Sequence, residues 1–320
     1  MPLWYINIII KSIYQFLIST QHVKQGFGIS ELKDKDGNLT GHLMGIFNRS
    51  IQLMENGIRP VWVFDGKPPD LKKRVLEERK KKKQSAEVSK SEAVDTGNFD
   101  KALKFANQSV KITTQMLDDA KNLIRLLGVP VIEAPSEAEA QCSILAKGGK
   151  VHSVASEDLD CLTFGAPILL RNFSSKDEPV TEIKLELVLK GLNLEMDSFI
   201  DLCILCGCDY TDNIDGIGAV KAYKLICEYK NIENVIKYVD EYNNDPKKKR
   251  KLIYDKDKFY YETSRTLFKS PETLDPEKVE LVWKEPDFEG LKKFLTDERG
   301  FDPKRIESAS NRIKVINRIT

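Results

Sequence analysis

Histidine is scarce in this chain of 320 residues, and its cysteines lack the spacing of a metal site. There are three histidines and six cysteines, and three of the cysteines fall together at Cys203, Cys206 and Cys208. No histidine stands near that cluster, and no second cysteine pair completes a four-ligand zinc set. We therefore expect small, buried, reduced thiols rather than a zinc site or a disulfide framework.

Long apolar runs are also missing. The first twenty residues are rich in apolar side chains, but they have no basic segment and no small-residue cleavage site, and Asn7, Lys11 and Ser12 interrupt them. No other stretch approaches the roughly eighteen uninterrupted apolar residues of a membrane span. The sequence therefore predicts a soluble intracellular protein that does not associate with a membrane.

Neither sign of charge is in excess, because 50 basic and 49 acidic residues give a net charge of +1. The two signs are nevertheless separated along the chain: eight of the fourteen residues from Leu71 to Gln84 are lysine or arginine, opposed only by Glu77 and Glu78. A charged helix surface would have a similar composition. The surplus of positive charge favours a clamp for a phosphate backbone that ignores base sequence.

Short β-branched runs alternate with helical patterns. The runs lie at residues 6–10, 61–64, 129–132, 151–154 and 168–170, and the clearest helical patterns at residues 41–56 and 118–127. This alternation predicts an α/β fold with a mostly parallel sheet flanked by helices. Residues 72–110 are too polar to bury much, so we expect them to be mobile or an exposed helical excursion. After residue 180 the pattern is helical throughout.

Six acidic residues stand in four short motifs, each where a strand or helix is expected to end. Clustered carboxylates repel one another and need hard cations, and Mg²⁺ prefers oxygen ligands. Two such ions can cut a phosphodiester. The sequence therefore indicates a divalent-metal site formed by Asp65, Glu137, Glu139, Asp158, Asp160 and Asp209.

Each motif also has a purely local explanation. Asp65 and Gly66 precede two prolines and fit a turn that ends a strand. Ser136 and Glu139 fit a capping box, with Ser136 at the N-cap position. The occurrence of all four motifs in one order favours the metal site over four independent turns and caps.

Two further segments have open alternatives. Gly216, Ile217 and Gly218 fit a hairpin between two helices whose backbone amides hold a phosphate, although a plain turn has the same pattern. Lys221 and Lys224 follow on the next helix and favour phosphate binding. The basic run at residues 247–251 is either a solvated loop or a nuclear-import signal.

Several segments, taken in order, resemble those of the flap endonuclease family: SIYQFLI, VWVFDGKPP, APSEAEAQC, ASEDLDCLTFG, DLCILCGCDY and GIGAVKAYKLI. The resemblance implies a structure-specific 5′ nuclease with 5′-3′ exonuclease activity, which cuts 5′-flap DNA in replication and base-excision repair. It implies a basic helical arch and a helix-hairpin-helix module. By the same resemblance, residues 1–83 form an N-terminal nuclease segment and residues 84–110 a mobile arch region. Residues 111–229 form an internal nuclease segment that contains the helix-hairpin-helix module, and residues 230–320 form a C-terminal helical segment.

The family also assigns roles to residues of this chain. Two Mg²⁺ ions, for which Mn²⁺ substitutes, would be held by Asp65, Glu137 and Glu139 and by Asp158, Asp160 and Asp209. Lys72 and Arg79 would face the phosphate that is cut, and with Asp65, Asp158 and Asp209 they form the implied catalytic set. The implied DNA contacts are Tyr14, Arg49, Glu137, Gly207, Asp209, Gly216 and Gly218.

The resemblance further implies a monomer in the nucleus, in nucleolus and nucleoplasm, with mitochondria as a second location. A sliding clamp, proliferating cell nuclear antigen, is the implied protein partner, although the family's C-terminal clamp motif is absent here. A repair-type relative with a long insertion is disfavoured because only 72 residues separate Asp65 from Glu137.

The start of the chain departs from the family pattern. Ile8 stands where the family has an aspartate at the end of its first strand, and Gln21 replaces an arginine. We expect Ile8 to face the crevice and weaken the first metal site. Either the chain diverged or its start is mis-assigned, and we favour the second explanation. The alternative function is that of a catalytically weakened or non-catalytic binder of DNA junctions.

Overall fold

The computed structural model describes residues 6–10, 22–25, 28–31, 33–34, 36–96, 98–109, 112–173, 178–248 and 250–319. Its strands are β1 (Ile6–Ile10), β2 (His22–Gln25), β3 (Gly28–Glu31), β4 (Ile58–Phe64), β5 (Val131–Glu133), β6 (Ser153–Ala155), β7 (Ile168–Arg171) and β8 (Thr181–Lys184). Its helices are α1 (Gly41–Glu55), α2 (Lys73–Asp95), α3 (Phe99–Ser109), α4 (Thr114–Leu126), α5 (Ala138–Lys147), α6 (Asp160–Thr163), α7 (Leu185–Leu192), α8 (Met196–Cys206), α9 (Ala219–Tyr229), α10 (Ile232–Asn244), α11 (Tyr261–Lys269), α12 (Phe288–Lys292) and α13 (Pro303–Ile319). Short 3₁₀ turns cover Asp70–Lys72 and Pro276–Lys278, and a π-helical turn covers Lys293–Glu298.

A six-stranded sheet in the order β5-β4-β1-β6-β7-β8 forms the centre of the molecule. Strands β5, β4, β1, β6 and β7 are parallel, with Ile10 level with both Trp62 and Ala155. The predicted mostly parallel sheet flanked by helices is therefore confirmed. The prediction of helices throughout after residue 180 is wrong, because β8 pairs antiparallel with β7 at the sheet edge.

Side chains of the sheet alternate between two apolar layers, as the period of a β-strand requires. On β1, Ile8 and Ile10 join a cluster with Leu43 and Leu123 of α1 and α4. Ile9 belongs to the opposite layer, with Leu145 of α5. Helices therefore cover both faces, and the carboxyl ends of the parallel strands stay available for a site.

The polar segment after β4 folds into two packed helices, α2 and α3. Their buried side chains are mostly small: Ala86, Ala93, Ala102 and Ala106 are at most 7% exposed. Alanine lets two helices approach closely but buries little apolar area, so this seam contributes little to stability. Among the described helices, including the 23 residues of α2, none is long and apolar enough to cross a membrane.

All six cysteines are free thiols. Cys142 and Cys161 are buried, as expected, but Cys206 is exposed and does not fit the expectation of buried thiols. Burial raises the pKa of Cys208 to about 11 and that of Cys203 to about 12, so both thiols stay protonated at neutral pH. These cysteines are therefore poor nucleophiles.

A segment with little regular secondary structure, residues 270–287, runs from α11 to the amino-terminal edge of the sheet, and we call it the strap. Its Trp283 indole donates to the Pro60 carbonyl (3.1 Å), and the Lys284 amide donates to the Gly128 carbonyl (2.8 Å). The Leu274 amide donates to Gln141 Oε1 at 2.7 Å. The strap therefore contacts the first part of α5 through Leu274 and, further along, the edge of the sheet opposite the strand carboxyl ends.

Candidate active site

The loops after β4 and β5 touch each other, and this contact positions Asp65. The Gly66 amide donates to the Ser136 carbonyl at 2.7 Å. A side chain at Gly66 would place its Cβ 2.0 Å from the Ala134 carbonyl oxygen, so only glycine allows the approach. Asp65 Oδ1 then accepts a hydrogen bond from the Ala138 amide at 2.8 Å and caps α5.

Gly66→Ala is expected to destabilise the protein by about 2 kcal/mol or more, because the added Cβ forces two backbone segments apart. Gly191→Ala is the matched control. Gly191 lies in α7, and a Cβ added there would meet no atom within 4 Å, so alanine should stabilise by roughly 0.5–1 kcal/mol. Urea unfolding of both variants tests this, and equal effects of the two changes would contradict it.

Glu137 and Glu139 stand at the start of α5 and are 5% and 4% exposed. Glu137 occupies the N-cap position, and its side chain makes no capping hydrogen bond. The alternative explanation, a capping box with Ser136 as N-cap, is therefore not formed, because the Asp65 carboxylate supplies the cap from another loop. Glu137 is left to accept from other partners.

Asp158 and Asp160 lie just beyond the carboxyl end of β6. Asp158 Oδ1 accepts from the Asp160 amide at 3.0 Å, and Ser156 Oγ accepts from the Asp158 amide at 3.1 Å. Burial, together with the neighbouring charges of Asp158 and Asp209, raises the pKa of Asp160 to about 7. The segments after β6 and after α8 therefore bring these carboxylates close enough to repel one another.

The raised pKa of Asp160 predicts a pH-dependent stability in the absence of metal. The ordinary value is 3.8 and the folded value about 7, so the folded state binds more protons in between and stability falls as pH rises through that window. Above pH 7 in EDTA, Asp160→Asn should therefore have a larger free energy of unfolding than the unmodified protein, by on the order of 2 kcal/mol, and a higher unfolding temperature. The difference should vanish near pH 4, and a pH-independent difference would contradict the assignment.

Asp209 follows α8 and forms ion pairs with Lys72, just before α2, and with Arg79 of α2. Arg79 Nη2 donates to Asp209 Oδ1 and Oδ2 at 3.1 and 2.8 Å, and Lys72 Nζ lies 3.1 Å from Oδ2. Lys72 also donates to Glu137 Oε1. Burial alone lowers the pKa of Lys72, but Glu137 and Asp209 outweigh it and raise the value, so this lysine is charged.

Tyr210 is a site residue that the sequence motifs did not reveal. Its hydroxyl donates to Glu137 Oε2, and its ring is 2% exposed and packs edge-on against Phe268 with centroids 5.2 Å apart. Burial and the Glu137 charge raise its pKa, so the hydroxyl keeps its proton. A buried tyrosine needs a partner for its hydroxyl, and its place directly after Asp209 was the available signal.

Two cavities divide the six predicted acids into the two expected sets. Asp65, Glu137 and Glu139 line a cavity of about 620 Å³. Asp158, Asp160 and Asp209 line another of about 480 Å³. Arg79 lines both.

The donor chemistry of these cavities fits hard divalent cations, because all six side chains offer carboxylate oxygens. In the described part of the chain, however, no three His, Cys, Asp or Glu side chains converge on a point that could hold one ion. In this arrangement Glu137 and Asp209 are instead paired with Lys72 and Arg79.

The predicted DNA contacts fall on separate elements. Arg49 on α1 is half-buried, donates to Gln52 at 3.0 Å, and stacks on the Phe173 ring at 5.0 Å. Gly207 ends α8 at φ +115° and lines the second cavity. Gly216 and Gly218 lie between α8 and α9. Tyr14 lies outside the described residues.

Ile8 does not face the crevice as expected. It is 4% exposed and sits in the middle of β1, level with Pro60 and Ser153, within the apolar layer under α1 and α4. The acids Asp65 and Asp158 come after the ends of the neighbouring strands. An apolar side chain is what this buried position requires.

Two parts of the chain match models of known protein families. Residues 8–86 match the XPG N-terminal domain, and residues 128–209 match the XPG I-region. Flap endonuclease 1 of Tetrahymena thermophila is 48% identical over 302 residues, which cover 94% of this chain and 78% of the relative. Flap endonuclease 1 of Glycine max is 49% identical over 308 residues, or 95% and 77% of the two chains.

Solved structures show the same fold. Flap endonuclease-1 from Methanococcus jannaschii aligns with a TM-score of 0.73 at 34% identity, over 99% of this chain and 95% of that chain. The catalytic core of Rad2 in complex with DNA substrate aligns with a TM-score of 0.73 at 26% identity, over 97% and 93%.

The sheet, the acidic cavities and the overlying basic helices define a metal-dependent nuclease that acts on phosphodiester bonds. The chain belongs to the flap endonuclease 1 family.

Proposed function

We propose that this chain hydrolyses DNA at the junction of a 5′ flap, with accompanying 5′-3′ exonuclease activity, in replication and base-excision repair. The observation that supports this most directly is the pair of carboxylate-lined cavities that meet at Arg79 beneath α2. Hydrolysis of a phosphodiester by two cations requires positive charge at both the attacking and the leaving oxygen. Two adjacent carboxylate sets could each hold one such cation.

Mg²⁺ is the proposed physiological ion, with Mn²⁺ able to substitute. Asp65, Glu137 and Glu139 would hold one ion, and Asp158, Asp160 and Asp209 the other. When bound, the ions supply Lewis acidity and lower the pKa of a water molecule. The all-oxygen donor set supports magnesium or manganese over softer metals.

The side chains of the protein prepare this chemistry. Asp65 is fixed by the α5 amide, and the Tyr210 hydroxyl orients Glu137. Lys72 and Arg79 now pair with carboxylates, and an incoming DNA phosphate offers them an alternative anion. Their charge would then stand where negative charge develops on the transferring phosphate.

The proposed setting follows from the family resemblance. We expect a monomer that works in the nucleus, in nucleolus and nucleoplasm and also in mitochondria, and that binds the sliding clamp. Nuclear imaging of the tagged protein and copurification with the clamp test these two points.

Single-turnover cleavage of a 5′-flap DNA, with the matching nicked duplex as control, tests the proposed activity. Cleavage at the flap junction is expected in Mg²⁺ and Mn²⁺ and none in EDTA. Preference for the flap over the nicked duplex is expected as well. Tight flap binding without cleavage in either metal would instead identify a non-catalytic junction binder.

A further inference from the structure

Helix α11 packs against α8, the helix that leads into the acidic site. Of the nine residues of α11, only Ser264 and Phe268 are buried. The Ser264 hydroxyl donates to the Tyr260 carbonyl at 2.8 Å, so it is used within the helix itself. Phe268 is therefore the only large apolar side chain of α11 that is fully withdrawn from water. Burial of a single phenylalanine leaves a short helix in need of a second attachment.

Arg265 supplies that attachment by binding carboxylates of two other helices. Its Nε and Nη2 donate to Asp201 of α8 at 2.6 and 2.7 Å. Its Nη1 and Nη2 donate to Glu233 of α10 at 2.8 and 3.0 Å. Asp201 also accepts from the Ile232 amide, at the start of α10, at 3.1 Å. The planar fork of a guanidinium suits this double pairing, and an ammonium group cannot reproduce it.

A second ion pair joins the same two helices but lies in water. Lys269 Nζ is 2.7 Å from Asp197 Oδ2, and the two side chains are 40% and 73% exposed. Solvent screens such a pair, so it fixes the helix only weakly. The side chains of Arg265 and Asp201 are 21% and 3% exposed. Loss of either partner of this second, sheltered pair would leave a charge buried, so the pair restrains the position of α11 far more firmly.

The face of α11 that carries Arg265 also carries Phe268, because residues three apart lie side by side on a helix. The Phe268 ring is 5.2 Å from that of Tyr210 and 4.9 Å from that of Phe164, which directly follows α6. The Tyr210 hydroxyl in turn donates to Glu137. The position of α11 therefore determines where the Tyr210 ring lies and where its hydroxyl meets the acid.

We propose that Arg265 is a positioning residue for the first metal cavity: by fixing α11 against α8 and α10, it holds the Tyr210 hydroxyl on Glu137. This inference rests on the proposed function, because it takes Glu137 as a ligand of a catalytic cation. Groups that hydrogen-bond to a metal ligand orient it and thereby set the affinity for the metal. If Arg265 only stabilised the C-terminal helices, its loss would lower stability without changing Glu137.

Calorimetric titration of the DNA-free protein with Mn²⁺ separates these two roles. Arg265→Lys keeps a positive charge beside Asp201 but loses the guanidinium fork, so the variant should fold with α11 less firmly held. It should bind Mn²⁺ roughly tenfold more weakly, as should Tyr210→Phe, which removes the hydroxyl itself. The variant with both changes should bind no more weakly than Tyr210→Phe, because the two changes act through the same hydroxyl.

Two further variants bracket the effect. Glu233→Gln removes only the more exposed half of the network, since this carboxylate is 40% exposed, and should weaken Mn²⁺ binding in the same direction but less. It also keeps the test open if Arg265→Lys unfolds. Lys269→Ala is the matched control, because it breaks the solvent-exposed ion pair between the same two helices. Its Mn²⁺ affinity should stay within about twofold of the unmodified protein.

Urea unfolding in EDTA tests the same connection without metal. The losses of stability caused by Arg265→Lys and Tyr210→Phe should not add in the double variant, because both changes loosen one packed unit. Additive losses together with unchanged Mn²⁺ affinity would assign Arg265 to stability alone. Unchanged Mn²⁺ affinity in Tyr210→Phe would overturn the route through the hydroxyl. Neither measurement uses DNA, so absence of flap cleavage by the unmodified protein concerns the proposed function alone.

Discussion

Asp209→Asn is expected to lower the single-turnover rate of flap cleavage by roughly a thousandfold, which corresponds to several kcal/mol of metal-assisted catalysis. Asparagine keeps the shape of the side chain but removes the charge. It can neither contribute an anionic ligand to the second cavity nor pair with Arg79 and Lys72, which now lie within 3.1 Å of Asp209. Affinity for flap DNA in EDTA should change little, because it depends on many phosphate contacts.

Asp212→Asn is the matched control for this change. Asp212 lies on the same loop, lines the same cavity, and pairs with an arginine of the same helix, since Arg74 Nη2 lies 2.7 Å from its Oδ1. It is not one of the six predicted ligands, so cleavage should fall only a few fold. Equal losses in the two variants would show that general negative charge, rather than Asp209, supports the reaction.

Lys72→Ala is expected to change catalysis and metal binding in opposite directions. The cleavage rate should fall roughly a hundredfold, because a charge aimed at the transferring phosphate is lost. In the DNA-free protein, affinity for Mg²⁺ or Mn²⁺ should rise, because Lys72 no longer competes for Glu137 and Asp209. Calorimetric titration of the metal and single-turnover kinetics give the two numbers independently.

Lys73→Ala serves as the control, since Lys73 is adjacent in sequence but its side chain is 73% exposed and pairs with Asp70 at 3.1 Å. The cleavage rate and the metal affinity of this control should remain close to those of the unmodified protein. A Lys72→Ala variant with weaker metal binding would contradict the competition, while loss of DNA affinity equal to the loss of rate would place Lys72 in a general basic surface.

The sheet and the positions of the acids could be predicted because both depend on local patterns. Short β-branched runs mark the strands, and Asp65 and Asp158 follow the ends of two of them. The edge strand β8 was not predicted because its four residues are largely exposed and have no strong apolar pattern. The cap on α5 could not be identified from the local sequence, because Asp65 supplies it from a distant loop.

The pairing of Lys72 and Arg79 with the acids could not be derived from local patterns. The surplus of positive charge in α2 predicted a phosphate contact, but nothing in the segment specifies Glu137 or Asp209 as partners. Tyr210 likewise owes its role to Glu137 in another loop. Ile8 was misplaced because alignment by motif gives no sheet register, whereas the structure pairs it with Pro60 in mid-strand.

The strap offers a place to engineer stability separately from catalysis. Its later part attaches to Pro60 and Gly128 at the amino-terminal edge of the sheet, whereas its first residues, 270–272, line a cavity together with Glu137. Much of that later part is exposed, so proline substitutions at compatible backbone angles should restrict the unfolded chain. A heat-resistant variant built there should keep the pH profile, metal preference and turnover of the parent.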